Sequence, residues 1–407
     1  MSERRLPLHP NLDQLKHQAK DLLRDMRRDD PRAQLAGAQH ALARSYGAHS
    51  WPRLVESCRL VDAIWRDDID TVRDLVTRNR QLLHDDAEIR NRNWGPPMSY
   101  AANLGRDRII LMLRELGAND LERALGRATL QGRLETAKIL HAMLGNPPPP
   151  RDALGGPAYT LNVTGTEFLF DAGARVYDDN GRILAPVDVV LFSDSRRPAS
   201  KHRILEIYAE HGLRLPDTPP MALHRGRIDL LEEHLRRDPD LLRRTFTHAE
   251  IFPPEFGCGP YVDTQGTPLD GTTLLHMCVD FDELEIAKWM LDRGMDPDAK
   301  AATDAEGFGG HTALFGGVVS YAHFWVNFDR YGPGRPDDAA FARLLLHAGA
   351  NPKARASLRR EVQYDDKHFI HEHRDATPLT WGQQFPYKLL VSQRAMQLVG
   401  DTPPAHC

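Results

Sequence analysis

The apolar positions of this chain recur at helical spacing and divide it into short amphipathic segments. In residues 11–29 an apolar side chain returns every third or fourth position, which predicts a helix with one buried face. Asn11 follows a proline and is suited to cap the start of that helix. Pro31 is expected to open a second helix that Gly47 ends, and Ser50 is expected to cap a third.

A longer pattern then recurs along the chain. Its unit is a helix of small residues, a glycine-containing turn, a leucine-rich helix and a closing glycine. Residues 95–120 and 270–300 are clear copies. Two partial copies begin at residues 309–319 and 374–385 and are completed after insertions. With the weaker copies we count about eight units, which is enough for a self-supporting stack of repeats.

Several short segments carry a family resemblance. "TTLLH", "GHTAL", "DATPL", "LGAND", "HAGANP" and "DRGMDPDAK" resemble the ankyrin-repeat consensus, from about Leu60 to about Gly400. The leading "LPLHPNLDQLKHQAKDLL" is similar to a helical segment that precedes ankyrin repeats in many bacterial proteins. The resemblance implies an all-α ankyrin-repeat solenoid of about eight degenerate repeats with an N-terminal helical cap. The expected parts are a helical segment at 1–56, the array at 57–400 with insertions near 245–268, 300–311, 321–337 and 354–375, and a tail at 401–407.

The resemblance also implies a function. Ankyrin repeats contact only their neighbours and form long curved surfaces that bind other proteins, and they carry no catalytic machinery of their own. We therefore expect a protein-binding scaffold or adaptor that holds an unidentified protein partner on its concave face and loop insertions. We expect a monomer that uses no cofactor and is not an enzyme.

Charge and cysteine content limit the partners and the cellular location that we expect. The formal net charge is −5 with both signs interspersed, so we expect no nucleic-acid partner. The four cysteines form no CxxC pair, which favours reduced thiols in a bacterial cytoplasm. The basic start has no apolar core of a secretory signal, and no stretch is apolar enough to span a bilayer, so no membrane role is expected.

Aromatic side chains in the C-terminal insertions are the candidate partner contacts. Aromatic and arginine side chains dominate binding hot spots, but an insertion also needs aromatic rings to pack onto its own scaffold, and the sequence leaves both interpretations open. If the first holds, truncating Trp325 is expected to abolish partner capture. The candidates are Phe252, Phe256, Tyr261, Phe308, His323, Trp325, Phe328, Tyr331 and Phe369.

Histidines and Cys258 suggest a competing function. An enzyme, or a protein that binds a small molecule or a metal, would need a pocket under the C-terminal insertions that gathers Cys258, His311, His323 and the segment His368–His373. Within that segment the weak metal candidates are His368, His371 and His373, whose spacing is not that of a helical HExxH site. A solvated hairpin loop is the favoured interpretation, so no metal site is predicted. By the resemblance, His276 in "TLLH" is expected to be a structural hydrogen-bonding bridge.

Overall fold

The structure is a computed structural model that describes residues 4, 6–7, 9–89, 93–260, 266–320, 337–364 and 367–402. The chain divides into two compact units. Unit 1 comprises residues 1–157 and 164–174, and unit 2 comprises residues 158–163 and 175–407. The predicted boundary at residue 56, which separates N-terminal helices from repeats, is a different kind of division and stays a prediction.

Unit 1 is built from helices in its described part. Its first eight are α1 (Leu12–Asp29), α2 (Leu35–Ser45), α3 (Trp51–Trp65), α4 (Ile69–Arg78), α5 (Pro97–Leu104), α6 (Asp107–Glu115), α7 (Leu121–Gln131) and α8 (Leu134–Met143). The division between the units crosses the next two, α9 (Gly155–Tyr159) and α10 (Val163–Asp171). A 3-10 turn, Arg80–Leu83, follows α4.

The N-terminal helices pack on one another and on the first repeat-like helix. Leu15 and Ala19 of α1 share a buried cluster with Leu42 of α2 and Leu54 of α3. Asn11 caps α1 as predicted, because its side chain accepts hydrogen bonds from the Asp13 and Gln14 amides.

The start of α2 differs from the prediction. The helix begins at Leu35, and Pro31 lies in the turn before it. The Asp30 carboxylate accepts a hydrogen bond from the Arg32 amide at 3.0 Å, which holds Pro31 in an Asx turn. The predicted Ser50 cap is confirmed by its contact with the Arg53 amide at 3.3 Å.

The repeats of unit 1 are antiparallel helix pairs. Helices α3, α5 and α7 contact one another in order, and α4 contacts α6, so first helices stack on first helices and second on second. Gly105 ends α5 and Gly132 ends α7, both in the left-handed conformation that a residue with a Cβ rarely adopts. The glycine turns predicted between paired helices are confirmed.

Unit 2 continues with further pairs. Its helices are α11 (Val187–Phe192), α12 (Pro198–Glu210), α13 (Pro219–His224), α14 (Ile228–Arg237), α15 (His248–Ile251), α16 (Leu274–Phe281), α17 (Leu284–Asp292), α18 (Ala313–Val318), α19 (Ala340–His347), α20 (Pro378–Gln384) and α21 (Gln393–Asp401), within the described ranges. Short 3-10 turns occupy Leu241–Arg243, Pro254–Phe256 and Lys388–Leu390.

The pairs of unit 2 stack in the same way. Helix α16 contacts α13 and α18, α18 contacts α20, and the second helices α17, α19 and α21 contact in sequence. Asp282, at φ 64°, stands in the turn between α16 and α17 where other pairs have a glycine. The architecture is an all-α ankyrin-type stack of helix pairs, as predicted. No helix of the described residues combines the length and apolarity that crossing a membrane requires.

One insertion of unit 2 forms a β-hairpin. Strands β1 (Ala356–Tyr364) and β2 (Lys367–Ala376) pair antiparallel, with an irregularity between Ala356 and Leu358. The hairpin occupies most of the insertion predicted at 354–375, where the favoured interpretation is a solvated hairpin loop, and ends one residue beyond it. It provides the longest regular element outside the helices in the part of the chain that the structure describes.

Candidate functional site

The loop before α18 is a narrow finger that joins the hairpin. Residues 300–312 fold back on themselves through the bridges Lys300–Thr312 and Thr303–Gly309. The Gly309 amide donates to the Ser357 carbonyl at the start of β1, at 2.7 Å. We call residues 300–312 and 356–376 together the finger–hairpin platform.

Phe308 braces the platform. Its ring is 5% exposed and lies 4.0 Å from the Arg359 guanidinium carbon and 4.1 Å from that of Arg374. Arg359 also pairs with Glu306 of the finger and, at 3.1 Å, with Glu372 across the hairpin. These cation–π and ionic contacts hold the finger against one face of the hairpin. Because they share Phe308 or Arg359, they form a network rather than isolated pairs.

The two faces of the hairpin differ in chemistry. We call the face that carries Arg359, Glu372 and Arg374 the outer face, and the register places Ile370 on it opposite Glu361. Ile370 is 61% exposed.

The inner face of the hairpin packs on α20 and on the segment after it. The His371 ring lies 5.1 Å from the Trp381 ring and 5.7 Å from that of Phe385. Phe369, a partner-binding candidate, lies half-buried with its ring 6.3 Å from the Tyr387 ring. Leu389, close behind Tyr387 in sequence, is 65% exposed. Aromatic packing therefore anchors one face of the hairpin, while apolar side chains remain exposed nearby.

The candidates Phe252, Phe256 and Phe308 lie inside the protein. Phe252 is 1% exposed, with its ring 5.0 Å from that of Phe192 and 6.2 Å from that of Phe281. Phe256 is buried in the same loop. In this conformation these rings pack on their own scaffold, which is the second of the two interpretations that the sequence left open, and they offer no surface to a partner.

Imidazoles hold the described parts of residues 246–269: the buried His224 and His311 join them to the helix stack, and the half-buried His248 bonds within them. Each donates its Nε2 hydrogen to a backbone carbonyl: His224 to Ile251 at 3.0 Å, His248 to Gly259 at 2.9 Å and His311 to Pro268 at 3.0 Å. His311, proposed for an enzyme pocket, is thus engaged in holding the loop. Burial is the main cause that lowers the pKa of His311 to about 3, so it is neutral at physiological pH.

His276 forms the expected bridge. Its Nδ1 accepts from the Thr273 hydroxyl at 2.9 Å, and its Nε2 donates to the His311 carbonyl at 3.0 Å. Burial lowers the pKa of His276 to about 4. A neutral imidazole with a fixed tautomer therefore links two successive repeats.

Two buried ion pairs lie in the described part of unit 2, and one of them contacts the backbone of Gly266. Arg196 and Asp280 form an ion pair at 3.0 Å with side chains 4% and 2% exposed, and the other oxygen of Asp280 accepts from the Gly266 amide at 2.9 Å. Lys201 lies 3.1 Å from Glu283, equally buried, and 4.3 Å from the Phe281 ring centre. Burial is the main cause that lowers the pKa of Lys201. Buried ion pairs of this kind favour the arrangement of the chain that keeps the opposite charges together.

Cys258 lacks the surroundings of a nucleophile. It is buried, and burial together with Asp188 and Glu255 raises the pKa of its thiol to about 12. A reactive cysteine needs the opposite shift, toward thiolate at neutral pH. Among the described residues no group of three or more metal-ligating side chains occurs.

Some candidates lie outside the described residues. Tyr261, His323, Trp325, Phe328 and Tyr331 are among them, as is the side chain of His368. The structure adds four residues that the sequence interpretation did not single out: Arg360, Ile370, Trp381 and Leu389. A period-two alternation through 356–364 signals a strand, but arginine takes the place of an apolar residue at one inward position.

Comparison with known proteins agrees on the repeat type. The family description "Ankyrin repeat" matches residues 270–302, which hold α16, α17 and the start of the finger. The human ASB11 ankyrin repeat domain is 15% identical, with 76% of this chain and 99% of that chain covered at a TM-score of 0.26. The ankyrin repeat domain of Bcl-3, a member of the IkappaB family, is 15% identical, with 68% and 97% covered at a TM-score of 0.24. No curated protein sequence matches.

TM-scores this low do not show that the whole chains share one arrangement of their helices. The ankyrin assignment rests instead on the stacked helix pairs and on the match at 270–302. Ankyrin repeats generally serve as protein–protein interaction modules and are typically non-enzymatic.

Proposed function

We propose that this chain is a protein-binding scaffold and that the finger–hairpin platform is the surface that holds its partner. The observation that carries the proposal is an exposed apolar side chain on a braced support. Ile370 and Leu389 are the two most exposed large apolar residues in the part of the chain that the structure describes. Ile370 lies on a strand that Phe308, Arg359 and Glu372 hold in place.

Rigidity supports this choice of surface. Binding to a pre-ordered surface costs less conformational entropy than binding to a flexible loop, so more of the contact energy appears as affinity. Apolar anchors surrounded by polar side chains are typical of hot spots, and loops on a repeat scaffold commonly carry function. The concave face is the proposed continuation of this surface.

The proposed setting is a bacterial cytoplasm, with the protein acting as a monomer. Cys58, Cys258 and Cys278 are all free and buried, which suits a reducing compartment. We propose no catalytic step and no cofactor.

Ile370→Lys tests the surface. A lysine keeps a favourable pairing with Glu361 across the hairpin, so the strand is expected to stay folded while the apolar anchor is lost. We expect affinity capture with full-length bait to retain one stoichiometric protein with the parent chain and to lose it with Ile370→Lys. The matched control is Leu111→Lys, on an exposed leucine of unit 1.

Equal capture by the two variants would contradict the placement of the surface. If the parent chain captures no protein although it is folded, the scaffold function itself is contradicted. Circular dichroism of each variant confirms that helix content is unchanged.

A further inference from the structure

Nitrogen-bearing side chains gather on the inner face of the hairpin. His371 and His373 are two positions apart on β2, so they point to the same side of the strand. Arg360 of β1 is directly opposite His371, and Leu358 is opposite His373. Arg360 is 6% exposed, so its guanidinium belongs to this interior rather than to the surface.

Three nitrogen atoms in this region are buried and unsatisfied. The Nε2 atoms of His371 and His373 and the indole Nε1 of Trp381 have no hydrogen-bond partner among the residues that the structure describes. Trp381 is fully buried, and its ring centre lies 5.1 Å from that of His371 with the two planes tilted by 35°. Leaving a buried polar atom without a partner is costly, so such atoms are normally paired with protein, water or a ligand.

The charges around His371 decide what kind of ligand fits. Its pKa is lowered by burial first, and then by His373, Arg360 and Lys388. No acidic group contributes to that shift. Of the described acids of the strands, Glu361 and Glu372 lie on the outer face of the hairpin, and Asp375, near the end of β2, pairs with Arg355.

The positive charges around His371 favour a bound anion over a bound metal cation. A positive environment that disfavours a protonated imidazole equally disfavours a bound metal cation, and it attracts an anion. Neutral imidazoles protonated on Nε2 and an indole N–H are all hydrogen-bond donors, and a buried arginine adds charge. Charge-assisted hydrogen bonds from such donors to an oxyanion are among the stronger ones in proteins.

We propose that His371, His373 and Trp381, beside Arg360, form a binding site for an oxyanion, either a phosphate or a carboxylate group. The imidazole Nε2–H and indole Nε1–H groups donate to the anion, and Arg360 and Lys388 supply the positive potential. The two imidazoles that the sequence marked as weak metal candidates are therefore assigned to an anion. The site does not depend on the partner-binding function, because Ile370 lies on the opposite face of the hairpin.

The test is an NMR titration of the purified full-length chain with sodium phosphate, with sodium chloride at matched ionic strength as the reference. We expect phosphate to shift the imidazole signals of His371 and His373 and the Trp381 indole N–H signal in a saturable way, and chloride not to. Bound anion should also raise the pKa of His371, because it stabilises the protonated imidazole. Sodium acetate in parallel distinguishes a phosphate site from a carboxylate site.

His371→Ala and His373→Ala each remove one side-chain donor and are expected to weaken the anion's affinity about tenfold. The matched control His347→Ala, at an exposed position on α19, should bind as the parent chain does. Two variants keep the test informative if one of them fails to fold. Equal shifts in phosphate, acetate and chloride would overturn the proposal, as would saturable binding of Zn²⁺ at these imidazoles without any effect of phosphate or acetate.

Discussion

At the scale of single residues, the positions that local rules govern were predictable. Asn11, Ser50, Gly105 and Gly132 cap or end helices because their own side chain, or the lack of one, suits the backbone there. The fate of Phe252 was not predictable, since its burial depends on Phe192 and Phe281, which are distant in sequence. The aromatic candidates could therefore be identified from the sequence, but an exposed ring could not be distinguished from a packed one.

The buried imidazoles give the first prediction at this scale. His276 and His311 are neutral in the folded protein, with pKa values of about 4 and about 3, whereas an unfolded histidine titrates near 6.5. Below pH 6.5 the unfolded chain therefore binds more protons than the folded one. Stability is full above pH 6.5 and falls as pH decreases toward these folded pKa values. At pH 5 the loss is about 2 kcal/mol for each histidine.

Urea unfolding at pH 5, 6 and 7 measures this dependence. In His276→Asn one titrating group is gone, so the free energy of unfolding should change with pH by about 1.4 kcal/mol per unit less than in the parent chain. His347→Asn, at an exposed site, is the control and should keep the parent slope. An unchanged slope in His276→Asn would show that this imidazole does not titrate on unfolding.

At the scale of elements, helices were predictable and the hairpin was only partly so. Helical spacing with caps and glycines locates a helix from local sequence alone, as in α5 and α16. In contrast, β1 and β2 are stabilised by a finger that lies apart from them in sequence, as well as by the helix α20 that follows β2. Their inward positions include Arg360, His371 and His373 rather than an apolar series, so the alternation that marks a strand is weak.

Phe308 provides the prediction at this scale. Phe308→Ala removes a buried ring that contacts both Arg359 and Arg374, and we expect it to destabilise the finger–hairpin platform by about 3 kcal/mol. Hydrogen exchange read by mass spectrometry should show faster exchange in residues 356–376 and unchanged exchange in α5 to α7. Phe369→Ala, a half-buried ring, is the control and should have a smaller effect. Unchanged exchange in the hairpin of Phe308→Ala would mean that the ring does not brace it.

At the scale of the whole molecule, the repeat pattern carries most of the information. Helix pairs that contact only their neighbours leave a periodic signature, and so the all-α ankyrin-type stacking in each unit followed from sequence. The division into two compact units did not follow, because compactness depends on the sum of contacts rather than on any motif. The platform also arises at this scale, since the finger and the hairpin belong to different repeats.

The partner is proposed to contact the finger–hairpin platform, and site-specific photo-cross-linking is the most direct test of that contact. A photoreactive phenylalanine is placed at position 370 in one full-length chain and at position 111 in another, both exposed in the parent chain. After irradiation in an extract of the cells that make the protein, we expect one protein cross-linked at 370 and absent at 111. Cross-linking at 111 alone, or none at 370 by a folded chain, would contradict it.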